Sequence, residues 1–112
     1  MEFRQITDAY SVAGQITPAE VAAVKEAGFK SIICNRPDDE QDGQPSHQIV
    51  QAAAEKAGLA FRYIPVVSGQ ITSDNVEDQA AALNEMQGPV FAYCRSGARC
   101  TNLYILIQQS KG

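Results

Sequence analysis

Pro89-Val90-Phe91-Ala92-Tyr93-Cys94-Arg95-Ser96-Gly97-Ala98-Arg99 is an apolar run that breaks into a short, basic, glycine-containing turn at a cysteine. The run has the length and composition of a buried strand. The residues from Ala98 to about Gln109 carry a helical pattern. A cysteine at the joint between a buried strand and a helix start is in a position to become a thiolate. The free N–H groups and dipole of the helix favour negative charge there. Arg95 and Arg99 add positive charge. Gly97 removes a side chain where the backbone must curl, so that successive N–H groups can converge on an anion. A lowered thiol pKa is what turns cysteine into a nucleophile. Cys94 is therefore the expected reactive centre. The alternative is a buried cysteine that only packs, and the two arginines, serine and glycine that follow at once argue against it.

Outward from this stretch, strands and helices alternate. Phe3 to Thr7 and Ser11 to Ala13 are strand candidates. Thr17-Pro18-Ala19-Glu20 opens a helix with a capping box and an early proline. Ser31-Ile32-Ile33-Cys34 reads as a buried strand, followed by the polar loop Arg36 to Gly43. Pro45-Ser46 opens a second helix with Ile49, Ala52, Ala53 and Lys56 at helical spacing. Leu59 to Val67 reads as a strand. Ser73 caps a third helix with Val76, Ala80 and Leu83 facing inward. The alternation predicts an α/β fold with a mostly parallel sheet flanked by helices. Ligands of such folds bind at the carboxyl ends of the strands, where Cys94 lies.

Composition sets the bounds. The 112 residues are expected to form one domain, 1–112, with 45% hydrophobic residues for its core. A formal net charge of −4 argues against a nucleic-acid partner. No apolar run is long enough to span a membrane, and the first residues lack the apolar core of a signal peptide. A cytoplasmic location is the expectation. Cys34, Cys94 and Cys100 form no metal pattern, and His47 is the single histidine, so no metal or cofactor is expected. The last helix runs almost to Gly112, as in a domain cut from a longer protein or in a chain that simply stops.

The segment Pro89 to Arg99 resembles the active-site segment of rhodanese-type sulfurtransferases. Ile32-Ile33-Cys34-Asn35-Arg36-Pro37-Asp38, with Gly14-Gln15-Ile16-Thr17 upstream and the same cysteine loop, resembles a narrower family. That family is the phosphatase-like domain of the beta-lactamase hydrolase-like proteins. The resemblance covers nearly the whole chain. It implies a three-layer architecture similar to that of dual-specificity tyrosine phosphatases. It also implies a metallo-beta-lactamase-type, persulfide-oxidising partner or fused domain.

Three functions follow as expectations. The tyrosine-phosphatase signature has a cysteine, a glycine three residues on, an arginine six on, and a serine or threonine seven on. Cys94, Gly97 and Thr101 match, but Cys100 stands where the arginine belongs and Arg99 is one residue early. Such an enzyme also uses a carboxylic acid to protonate the leaving oxygen. The loop Val67-Ser68-Gly69-Gln70-Ile71-Thr72-Ser73 offers none before Asp74, although Asp38 or Asp39 could substitute. Rhodanese-type transfer through a Cys94 persulfide needs neither feature, and arginines one and five residues after the cysteine are typical of it. Sulfur transfer is therefore the favoured expectation, phosphate-ester hydrolysis the alternative, and a redox or persulfide-sensing module a third. The substrate is expected to be a small anion, either a sulfane-sulfur donor or a phosphate ester. Cys94 and Arg99 are the expected catalytic residues. Arg95, Ser96, Gly97, Ala98, Arg99, Cys100 and Thr101 are expected to hold the anion. Cys34, Asn35 and Arg36 are candidates to line the pocket. Cys100 could resolve an oxidised Cys94 as a disulfide, or simply fill the helix base. The run Asp38 to Asp42 and His47 read as solvated surface.

Overall fold

The computed structural model describes residues 1–111. Five strands, β1 (Arg4–Thr7), β2 (Tyr10–Ala13), β3 (Ser31–Cys34), β4 (Ala60–Tyr63) and β5 (Val90–Tyr93), form one sheet in the order β1-β2-β5-β3-β4. β1 pairs antiparallel with β2, and the other pairings are parallel. The parallel strands are in level register, with Ala13, Tyr93, Cys34 and Tyr63 side by side. Gly14, Cys94, Asn35 and Ile64 therefore leave the sheet together at its carboxyl edge. The four helices are α1 (Val21–Glu26), α2 (His47–Lys56), α3 (Ser73–Glu85) and α4 (Ala98–Lys111). One core cluster joins α1 and α2 to the sheet face bearing Ile32, Cys34, Phe91 and Tyr93. The other lies on the opposite face, with Val12, Ile33, Ala92 and Cys94 against Ala82 of α3 and Cys100 of α4. This is the mostly parallel α/β sheet expected from the alternation, in the three-layer architecture that the resemblance implies.

Several boundaries differ from the sequence reading for physical reasons. The capping box at Thr17 is present, but its first turn, Pro18–Glu20, is a 3-10 helix. β4 stops at Tyr63, short of Val67, and Pro65 follows at once; proline cannot donate to a ladder. The cap of α3 is Thr72, in a box with Asn75. The buried faces of α2 and α3 are rotated by a residue or two. Val50 and Ala54 are buried while Ile49 is exposed, and Gln79 and Ala82 are buried where Val76, Ala80 and Leu83 were expected. Alanine and valine on every face left the α2 stripe ambiguous. In α3 a polar residue is at the centre.

Gln79 is fully buried because its amide is fully paired. Its Nε2 donates to Tyr10 Oη at 3.2 Å and to Asn35 Oδ1 at 3.1 Å, and its Oε1 accepts from Asn35 Nδ2 at 2.8 Å. Tyr10 in turn donates to the Cys100 carbonyl at 2.8 Å. A buried polar network is stable only when complete. This one ties α3, β2, the end of β3 and the base of α4 together beneath the cysteine loop. Gln79→Leu strands the Asn35 Oδ1 and removes a partner of Tyr10. A urea titration should show a loss of about 2 kcal/mol, and Asn35→Ala combined with Gln79→Ala should cost less than the sum of the two single changes.

Candidate active site

Cys94 ends the central strand and is 1% exposed. Its backbone N–H donates to the Ala13 carbonyl at 3.1 Å, so β2 holds the chain until the turn begins. The turn then reverses at Gly97, which has φ of 93° and packs on the backbone of Ala13. A non-glycine residue is strained at that φ. On the β2 side, a Cβ placed on Gly14 would sit 2.9 Å from the Arg95 carbonyl, which accepts from Gln15 N–H at 3.4 Å. The two glycines allow the cysteine loop and the β2–α1 loop to pack backbone against backbone.

The result is a cradle centred on the Cys94 sulfur. Gly97 N–H donates to Sγ at 3.0 Å. The thiol is pulled down to about 5, first by the Cys100 thiol donating to it, and also by the backbone N–H groups of Cys100, Ser96 and Arg99, all against the opposing effect of burial. The shift favours the thiolate, the form in which a cysteine is nucleophilic. Cys100 shows the reverse shift: complete burial, then the neighbouring Cys94, push its thiol well up, so it stays protonated as a donor. The residue that departs from the phosphatase signature serves the sulfur beside it.

The other expected residues fall into two groups. Arg95 and Ser96 are exposed at the mouth, and Ser96 Oγ accepts from Ala98 N–H at 3.4 Å. Arg99 is 7% exposed on the first turn of α4. It makes a two-pronged pair with Glu40, Nη1 to Oε2 at 2.7 Å and Nη2 to Oε1 at 2.9 Å, and donates from Nη1 to the Val66 carbonyl at 2.8 Å. Its Nε–H and second Nη2–H, one edge of the guanidinium, have no protein acceptor among the described residues. Thr101 was among the residues expected to hold the anion. Its hydroxyl instead donates to the Gly97 carbonyl one turn back, at 2.9 Å, and accepts from Arg4.

The trio Cys34, Asn35 and Arg36 was expected to line the pocket, and the structure turns it inward. Cys34 donates to the Arg36 carbonyl at 3.3 Å, and burial pushes its thiol up to about 11. It faces the α1/α2 layer and Cys94 the other, which does not suit a redox partner. Asn35 belongs to the Gln79 network. Arg36 is 3% exposed, and each of its three nitrogens donates once, Nε to Glu40, Nη1 to Gln15 and Nη2 to Gln41.

Glu40 is the residue that sequence reading missed. It lies in the acidic loop expected to be solvent, yet it bridges Arg36 and Arg99. Arg99 first, then Arg36, hold its carboxyl down at about 2. Asp39 just before it has φ of 63°, a left-handed conformation that aspartate tolerates better than most residues. A single carboxylate in an acidic run gave no signal; only the approach of two arginines from distant segments distinguishes it. In the same loop Asp38 accepts from the His47 N–H at 2.8 Å and meets His47 Nδ1 at 2.6 Å, and the His47 ring stacks on Tyr63. His47 is therefore half-buried structure rather than free surface.

Residues 2–111 match the family model described as beta-lactamase hydrolase-like protein, phosphatase-like domain. A beta-lactamase hydrolase-like protein of Agrobacterium fabrum is 38% identical over 106 residues, which is 95% of this chain and 25% of that protein. The chain thus spans about a quarter of the length of that curated relative. The solved structure of a candidate phosphatase from Neisseria meningitidis superposes with a TM-score of 0.91 at 32% identity, over 100% of this chain and 80% of that one. The core catalytic domain of a PP-IP phosphatase from S. cerevisiae superposes with a TM-score of 0.66 at 14% identity, over 85% of this chain and 56% of that one. At that identity the likeness concerns the fold, which is of the tyrosine-phosphatase type. These likenesses favour the phosphatase alternative over sulfur transfer. No described helix is long and apolar enough to cross a membrane.

Two outcomes check the electrostatics. Cys100→Ala removes the thiol donor. The pH midpoint for alkylation of Cys94 by iodoacetamide should rise from about 5 toward the ordinary thiol value. Glu40 titrates lower folded than its ordinary 4.5, so its contribution to stability is complete above that pH and fades as pH falls through about 2. Glu40→Gln should flatten stability against pH across that window, as read by thermal melts.

Proposed function

The chain belongs to the family of phosphatase-like domains of beta-lactamase hydrolase-like proteins, and from that membership we propose that it hydrolyses phosphate esters through a phosphocysteine on Cys94. The observation that carries this reading is the Cys94 sulfur at the base of α4, which accepts from the Gly97 N–H at 3.0 Å and whose pKa is lowered by the Cys100 thiol and the nearby backbone N–H groups. Donors that stabilise a thiolate also suit the oxygens of a phosphoryl group, because both present concentrated negative charge to the same helix start. In the first step the thiolate attacks phosphorus, the sulfur–phosphorus bond forms, and the ester oxygen leaves with its electron pair. Water then attacks phosphorus, the sulfur–phosphorus bond breaks, and the thiolate is restored. The open edge of Arg99, fixed by Glu40 and the Val66 carbonyl, is placed to pair with phosphoryl oxygens as the signature arginine does elsewhere. Arg95 at the mouth adds attraction for an anion.

Sulfur transfer is the second reading. It is supported by the spacing of Arg95 and Arg99, one and five residues after Cys94. The two chemistries leave different marks on the same sulfur. With an aryl phosphate, acid-quenched protein should carry one phosphoryl group, absent in Cys94→Ser, and phosphate release should fall at least a thousandfold in that variant. With thiosulfate, a gain of one sulfur at Cys94 without any phosphoryl adduct would replace the phosphatase reading by sulfur transfer. Arg99→Lys keeps the charge but loses the two-pronged pair, and should lower kcat/KM about tenfold to a hundredfold.

A further inference from the structure

We infer that the site, on the phosphatase reading above, takes phosphoryl groups whose leaving group departs as a stable anion. These are acyl phosphates, phosphoric anhydrides and esters of acidic phenols, as opposed to esters of alcohols. The inference rests on the carboxyl groups near the carboxyl edge of the sheet, none of which is held by a partner so as to present a proton to the Cys94 cradle. An alcohol leaving group needs a proton as the phosphorus–oxygen bond breaks, and a positioned acid supplies it.

The elements around Cys94 can be taken in turn. The cysteine loop, Cys94 to Arg99, contains no acid. Glu2 and Glu20 line the cleft beside Ser96: Glu20 Oε1 accepts from Thr17 N–H at 2.9 Å as a helix cap and its Oε2 lies 3.7 Å from the N-terminal ammonium, and Glu2 is exposed with no partner among the described residues that would aim it at a leaving group. In the β3–α2 loop Asp38 is held by His47, Asp39 and Asp42 are exposed, and Glu40 is clamped between Arg36 and Arg99. Glu40 stays ionised well into acid, so it has no proton to give at neutral pH. The β4–α3 segment, Ile64 to Thr72, contains no acid, and Asp74 is exposed on the first turn of α3. His47 is stacked on Tyr63, on the sheet face opposite the layer that contains Cys94. Cys100 is wholly buried at the base of α4 and holds its proton too tightly.

The first step then proceeds without proton transfer. Cys94 sulfur bonds to phosphorus, and the phosphorus–oxygen bond breaks with its electron pair remaining on a carboxylate, a phosphate or a phenolate. Each of these carries that charge without help. The step needs no further reactant, and water in the second step supplies both the hydroxyl for phosphate and the proton released to solvent.

The test is the dependence of kcat/KM on the leaving group, measured with this chain on dinitrophenyl, nitrophenyl, phenyl and alkyl phosphates, and on acetyl phosphate and pyrophosphate. kcat/KM reports formation of the phosphocysteine, so a slow second step does not mask it. A missing acid should cost the poorer leaving groups about a hundredfold or more. Dinitrophenyl phosphate should exceed phenyl phosphate by at least that factor. Acetyl phosphate should be hydrolysed, and alkyl phosphates should show no turnover above Cys94→Ser. Phenyl and dinitrophenyl phosphates within about tenfold of each other would overturn this inference while leaving the phosphatase reading intact. No Cys94-dependent turnover of dinitrophenyl or acetyl phosphate would overturn both.

Discussion

A thiolate buried among backbone amides must have those amides in place before any ligand arrives, because a loop that has to reorganise around a charge loses most of the benefit. In this protein the constraint is met by the turn from β5 into α4, and much of the remaining structure serves it. Gly97 takes a conformation that other residues resist, and it lies against the backbone of β2. Gly14 lets the neighbouring loop close on the Arg95 carbonyl. Tyr10 reaches across to the Cys100 carbonyl, and Gln79 and Asn35 complete the polar layer beneath. A parallel sheet in level register is what brings these segments to one edge.

The positive side of the site has a different origin. Neither Arg36 nor Arg99 is free. Glu40 takes hold of both, and Gln15 and Gln41 secure the first of them. A surface ion pair contributes little to stability, but here one partner is almost wholly buried and the pairing is two-pronged. Its effect is to fix which edge of the Arg99 guanidinium remains open. The acidic loop is thereby tied to the first turn of α4, with Asp39 in a left-handed conformation.

Cys100 links the two halves. A phosphatase signature has an arginine at its position, and the structure has a buried thiol that keeps its proton and donates it toward Cys94. An arginine stands one residue earlier, Arg99, whose side chain leaves the first turn of α4 toward Val66 and Glu40. The same cradle can serve phosphoryl and sulfane chemistry, since neither the donors around the sulfur nor the arginines discriminate strongly between small anions. The family and the solved structures to which the chain is similar lie on the phosphatase side.

The chain order of strands and helices, the parallel sheet and the place of Cys94 at a strand end were legible in the sequence, because they rest on local signals: apolar runs, caps and a glycine in a turn. So was the lowered pKa of Cys94, since its helix start and the groups that lower it lie within six residues of it. Helix faces in α2 and α3 were not, because alanine gives no contrast and because the buried Gln79 is stabilised by partners 44 and 69 residues away. The inward turn of Asn35 and Arg36, the structural tie of Thr101 and the role of Glu40 were equally hidden. Burial of a polar or charged side chain depends on whether its partners arrive, and those partners come from segments that only the folded sheet brings together.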